Sequence, residues 1–215
     1  MNRRDQVADV CMILEGTFPY VYEGVAAWVR DILAAQTDLT FHLVCLMPDR
    51  DLPDRCFEIP DNVLSLEHIF LEELPPGKLR ESEASTLLRE IGRPLARLIS
   101  RGDLEDLAGV MEALGRSKKT PGAHTLLESR GAWRVLRDAY DVHHRGSSFI
   151  DFYWSWQALL KGLFSILLGP LPRARCYHVT STGYAGLVAA RAHVETGRPA
   201  IVTEHGIYTN ERRIE

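Results

Sequence analysis

The stretch DVCMILEGTFPYVYEGVAAWVRDIL, residues 9–33, decides the fold. Asp9 to Leu14 is an almost continuous apolar run, the signature of a strand buried on both faces of a parallel sheet. Gly16 and Gly24 punctuate the loop that follows. Beyond it, Val25, Trp28, Val29, Ile32 and Leu33 recur at i, i+3, i+4, i+7 and i+8, which draws an apolar stripe down one side of a helix. The loop itself has three readings. A helix N-terminus presents unpaired N–H groups that suit phosphate. Phe18, Pro19, Tyr20 and Tyr22 suit a sugar-binding lip, and a plain turn needs neither.

Working outward, TFHLVCLMP (40–48) is the second strand and Val63 to Leu66 a shorter third. LPPGK (74–78) breaks the pattern, and helical spacing then runs to residue 168. One stripe joins Leu87, Leu88, Ile91, Leu95, Leu98 and Ile99; another joins Leu104, Leu107, Met111 and Leu114; Trp133, Leu136 and Tyr140 mark a third. The sheet pattern returns with RCYHVTS (175–181), a helix in 182–197 that should stop at Gly197, and RPAIVTEHG (198–206). The expected fold class is therefore α/β, a Rossmann-like parallel sheet with a large helical insertion. Residues 1–75 and 169–215 would form the α/β domain and 76–168 the insertion. The polar segment GIYTNERRIE (206–215) reads as the start of a further helix, and so short a sheet as part of a longer protein.

Hydrophobic residues make up 46% and charged residues 25%, which places the chain among ordinary globular proteins. A net charge of -4 gives no electrostatic footprint for nucleic acid. Cys11, Cys45, Cys56 and Cys176 show no CxxC spacing and read as reduced, buried thiols. His143 and His144 have no carboxylate or cysteine at ligand spacing, so no metal is expected. Residues 1–8 are polar, and Glu15 and Gly16 interrupt the apolar run behind them. That pattern lacks a signal peptide and points to the cytoplasm.

Three more segments sit where chemistry is expected. In HVTSTGYAG (178–186) a strand ends in hydroxyl residues and glycine before a helix. Thr180, Ser181 or Thr182 serves as an N-cap there, or faces a ligand at the carboxyl end of the sheet. TEHGIY (203–208) places Glu204 and His205 at another strand end, where a core histidine has no purpose. SSFIDFYWSWQALLKGLFSILLG (147–169) is aromatic at its start, but Asp151, Gln157 and Lys161 interrupt it. It reads as a buried or interface helix, with Ser148 and Asp151 resembling a capping box; docking to a membrane partner is the alternative.

DVCMILEGTFPYVYEGVAAWV, FHLVCLMP, the helical insert with SFIDFYWSW and TEHGIYTNERRIE together resemble the N-terminal region of family 4 glycosyltransferases of Pel-type exopolysaccharide assembly, enzymes with the GT-B fold. The resemblance covers essentially the whole chain. It implies a retaining, UDP-sugar-dependent enzyme that needs no metal or other cofactor. Most of the donor would lie on a C-terminal Rossmann-like domain outside this chain, and the N-terminal domain would bind the growing polysaccharide acceptor. By motif, His205 would reach the transferred sugar and Gly24 would lie near the donor phosphates. Gly16, Thr17, Tyr22, Ser181, Thr182, Gly183 and Glu204 complete the expected donor- and acceptor-binding set. Expected partners are the enzyme's own C-terminal domain and inner-membrane synthase components. One departure stands out: family members commonly open the first helix with Gly-Gly, and here Glu23 precedes Gly24. A carboxylate at that position would repel a diphosphate.

Overall fold

The computed structural model describes residues 3–16, 18–143, 146 and 148–205, without the side chains of Arg101 and His143. Thr17, His144, Ser147 and the 206–215 segment lie outside the described residues. Five strands, β1 (Ala8–Glu15), β2 (Phe41–Met47), β3 (Val63–Phe70), β4 (Ala174–Val179) and β5 (Ala200–Val202), form one sheet. Its order is β3-β2-β1-β4-β5 and every pairing is parallel. The helices are α1 (Gly24–Ala35), α2 (Glu81–Arg101), α3 (Leu104–Arg116), α4 (Arg130–His143), α5 (Phe149–Leu168) and α6 (Tyr184–Thr196). A π-type turn, His124–Glu128, precedes α4. The fold class is the Rossmann-like α/β arrangement that the alternating pattern predicts.

The chain divides into two compact units, Met1–Leu71 with Gly169–Glu215, and Glu72–Leu168. The first holds the whole sheet. All seven residues of β2 are buried, as a doubly covered parallel strand requires. Ala26, Val29 and Leu33 of α1 pack into the cluster that Met12, Leu14, Phe41, Leu43 and Cys45 build. The Asn62 side-chain amide donates to the Leu33 and Gln36 carbonyls at 3.0 and 3.1 Å, satisfying acceptors that the end of α1 leaves open. His42 is a core histidine, bonded to Ser65 Oγ at 2.8 Å and the Gln6 carbonyl at 2.9 Å. Gly197, at φ 65°, ends α6 and returns its N–H to His193 O at 2.8 Å.

In the second unit, α2 buries Leu87, Leu88, Ile91 and Leu95, and α3 buries Leu107, Val110 and Leu114. α5 buries Trp156, Leu160, Leu163, Phe164 and Ile166 on one side and exposes Ile150 and Trp154 on the other. Among the described residues, no helix is long and apolar enough to cross a membrane.

Two expectations need correction. β3 runs to Phe70, four residues past Leu66, because Glu67 and His68 keep the ladder with Val44 and Cys45 although they break the apolar run. Of the cysteines, Cys11 and Cys45 are buried, but Cys56 is exposed and Cys176 half-buried.

Candidate functional site

The strand order changes direction between β1 and β4, and open α/β sheets bind ligands beyond the carboxyl ends of their strands at such a point. β1 arrives there with Glu15 and turns at Gly16, whose φ of 63° is the left-handed conformation glycine tolerates. The Gly16 N–H donates to Leu46 O at 3.0 Å, tying the turn to β2. From there the aromatic loop folds inward. Phe18 and Tyr20 are buried. The Phe18 carbonyl accepts from Cys45 Sγ at 3.3 Å, and the Pro19 carbonyl accepts from the Cys56 amide at 2.8 Å. The Tyr20 hydroxyl meets His68 Nε2 at 2.6 Å. Tyr22 alone of these rings faces water, three-quarters exposed and stacked on Phe57 at 4.8 Å. Glu23 is the N-cap of α1 and makes no side-chain capping bond, and the space around the Gly24 Cα is open.

β4 ends at the neighbouring position. Thr180 is held to Ile13 O by its amide and its hydroxyl, at 3.3 and 3.4 Å. Thr180, Ser181 and Thr182 were candidates for the N-cap of α6, and none takes that role. Gly183 is the N-cap and offers no side chain, so the Glu15 carboxylate from β1 takes over, accepting from the Ala185 N–H at 2.6 Å. A Cβ on Gly183 would stand 3.0 Å from Glu15 Oε1, so glycine lets the carboxylate approach. Ser181 is buried and its hydroxyl has no hydrogen-bond partner among the described residues, whereas Thr182 and Gly183 are exposed.

β5 continues the same edge. The Thr203 N–H donates to Val179 O at 2.9 Å, and Thr203 Oγ1 meets His178 Nε2 at 2.7 Å. Trp28 on α1 contacts both imidazoles edge-on, with ring centroids 5.7 Å from His178 and 4.7 Å from His205. Burial, and then the neighbouring His205, hold the His178 pKa below its usual value, so this ring is neutral near pH 7. Glu204 and His205 are exposed. Cys11 and Cys45 supply no nucleophile, because burial pushes both thiols up, Cys45 to about 12. Among the described residues, no three His, Cys, Asp or Glu side chains are grouped to hold a metal ion.

The structure thus gathers Gly16, Ser181, Thr182, Gly183, Glu204 and His205 along the carboxyl edge of the sheet, and sets Tyr22 and Gly24 at the start of α1. Sequence reasoning missed Glu15, Trp28 and His178. Glu15 read as an interruption of an apolar run and Trp28 as one residue of a core stripe. The available signal was a lone carboxylate closing an apolar strand directly before a glycine.

A sequence family described as a domain of unknown function, DUF3492, matches residues 8–215. The chain belongs to the DUF3492 family. Neither a curated protein nor a solved structure gives a significant match to it. The site of this DUF3492 domain must therefore be read from its own geometry.

Proposed function

We propose that this DUF3492 domain is the N-terminal, acceptor-side domain of a retaining, UDP-sugar-dependent glycosyltransferase in Pel-type exopolysaccharide biosynthesis, resembling PelF. The observation that carries the reading is the convergence of His205, Glu204, Ser181 and the Glu15–Gly16 turn on the carboxyl edge of the sheet, beside its β1/β4 switch point. Rossmann-like sheets bind substrates there. His205, braced by Trp28, is the residue of the edge assigned to the transferred sugar. Catalysis proceeds by orienting the acceptor hydroxyl and stabilising the departing UDP electrostatically, with no metal. Most of the donor rests on a C-terminal domain, and the enzyme works in the cytoplasm against inner-membrane partners.

The test is nucleotide-sugar turnover by the full-length protein. His205→Ala should abolish most transfer while leaving the fold intact, and residues 1–215 alone should bind UDP only weakly. Calorimetry showing tight UDP binding to this domain, or near-wild-type turnover of His205→Ala, would sink the assignment.

A second reading rests on exposed aromatic surface in the helical unit. Trp133, Trp154 and Ile150 are each about half or more exposed, and Trp133 joins Phe149 and Tyr153 in one aromatic group. In that reading the insertion docks the enzyme on membrane partners of the synthase. Deleting it would then abolish complex assembly and spare soluble transfer activity.

A further inference from the structure

Tyr22 ends a stack of three aromatic rings. Phe18, fully buried, lies 5.5 Å from Phe57 at an interplanar angle of 27°, and Phe57 lies 4.8 Å from Tyr22 at 16°. The Arg30 guanidinium sits 5.7 Å from the centre of the Phe57 ring. Its Nε and Nη2 hold Asp31 Oδ1 at 2.9 and 2.7 Å. One face of Tyr22 is thus covered by Phe57. With 75% of the residue exposed, the other face meets water. A large ring held flat, backed by the core and open on one side has no packing role on that side.

We propose that the outer face of Tyr22 is a saccharide subsite, on which a pyranose ring of the acceptor chain stacks, with the Arg30–Asp31 pair supplying hydrogen bonds at the ring's edge. The apolar C–H face of a pyranose matches an aromatic face, while its hydroxyls need planar polar partners beside it. The platform is built before the ligand arrives, so little ordering entropy opposes binding. Charge selects the kind of ligand. Asp31 is paired with the Arg30 guanidinium, and Glu23 directly follows Tyr22 in the chain. A nucleotide, whose base would also stack on Tyr22, carries phosphates that this surface repels, whereas a neutral or amino sugar is accepted. The subsite deepens the glycosyltransferase reading and rests on it for the identity of the acceptor.

The test uses the 215-residue chain with ring-labelled tyrosine, titrated separately with cellohexaose, chitohexaose and UMP and followed by NMR. At least one oligosaccharide should shift the Tyr22 ring resonances saturably, and UMP should leave them in place. Tyr22→Ala should weaken that binding about tenfold or more, and Tyr22→Trp should restore it to within roughly threefold. Phe57→Ala, which removes the backing ring, should weaken it with Tyr22 still present. The proposal is overturned if neither oligosaccharide moves Tyr22, if UMP does so instead, or if Tyr22→Ala binds as well as wild type. No donor or transfer enters these measurements. Sugar binding at Tyr22 in a protein that transfers nothing would therefore refute the enzymatic reading alone. Turnover with no sugar at Tyr22 would refute the subsite alone.

Discussion

Replacing Glu15 tests whether the β1/β4 junction is held as described. Its carboxylate accepts one short bond, 2.6 Å, from the Ala185 amide, in the first turn of a helix that has no side-chain cap of its own. Hydrogen bonds to charged groups contribute about 1.5–3 kcal/mol, and lost N-caps typically cost about 1 kcal/mol. Glu15 is half-buried, which leaves some compensation by water and favours the lower part of that range. Glu15→Ala should therefore cost about 2 kcal/mol. Glu15→Gln keeps an acceptor oxygen but no charge and should cost about 1 kcal/mol, the difference being the interaction with the helix dipole. For a chain of this size each kcal/mol lowers Tm by about 2–4 °C, giving losses of about 4–8 and about 2–4 °C. Because the chain has two compact units, the melt needs a local companion measurement. Hydrogen exchange supplies it: amides in the first turn of α6 should lose protection, while those of α2 and α3 keep theirs. An unchanged Tm together with unchanged exchange at Ala185 would refute the cap. If Glu15→Gln were as stable as wild type, the charge would play no part in it.

Three further outcomes follow from the same structure. Trp28→Leu removes the ring 4.7 Å from His205, so the imidazole proton shifts of His205 should change in NMR spectra and its order should fall; Trp28→Phe should restore much of both, and identical spectra in all three proteins would leave His205 unbraced. Stability should fall with acidification, because burial holds His68 and His178 below their ordinary 6.5. Between the lowered folded values and 6.5, the unfolded chain binds protons that the folded chain does not, so the stability is complete above 6.5 and is lost as pH drops through that window. His178→Gln should flatten urea-derived stability against pH there by up to one proton, and an unaltered slope would exclude it as a contributor. Gly77→Ala should destabilise the helical unit by about 2 kcal/mol or more, since its Cβ would collide with the Thr120 carbonyl oxygen; a wild-type urea midpoint would contradict that close approach.

The strand-loop-helix opening was legible because both periodicities it uses are local. A run from Asp9 to Leu14 and a stripe from Val25 to Leu33 are visible without knowing any partner. Gly197 followed by Pro199 marked the end of α6 for the same reason. Partners distant in sequence were not legible. The cap of α6 comes from Glu15, 170 positions before Ala185, while the adjacent hydroxyls fitted local capping rules better. The aromatic loop stayed ambiguous because its fate depends on Phe57 and His68. Phe57 lies in an irregular segment, and His68 in the part of β3 that the apolar pattern omitted. Tertiary contacts sorted the rings: two entered the core and Tyr22 stayed outside.

The same contacts bear on how a diphosphate donor would meet this edge. Two helices begin here, and a helix N-terminus is the usual protein device for holding phosphate. That of α6 is filled by the Glu15 carboxylate, and that of α1 begins at Glu23. An anion approaching either end meets a carboxylate first. At about 4 Å the repulsion between unit charges is about 1 kcal/mol in water and about 4 kcal/mol at the effective dielectric of a protein surface. A diphosphate near either helix would need that charge offset by cations. Sugar hydroxyls need no such offset, and carboxylates are good acceptors for them. The charge pattern therefore favours sugar hydroxyls over phosphates as ligands of this edge.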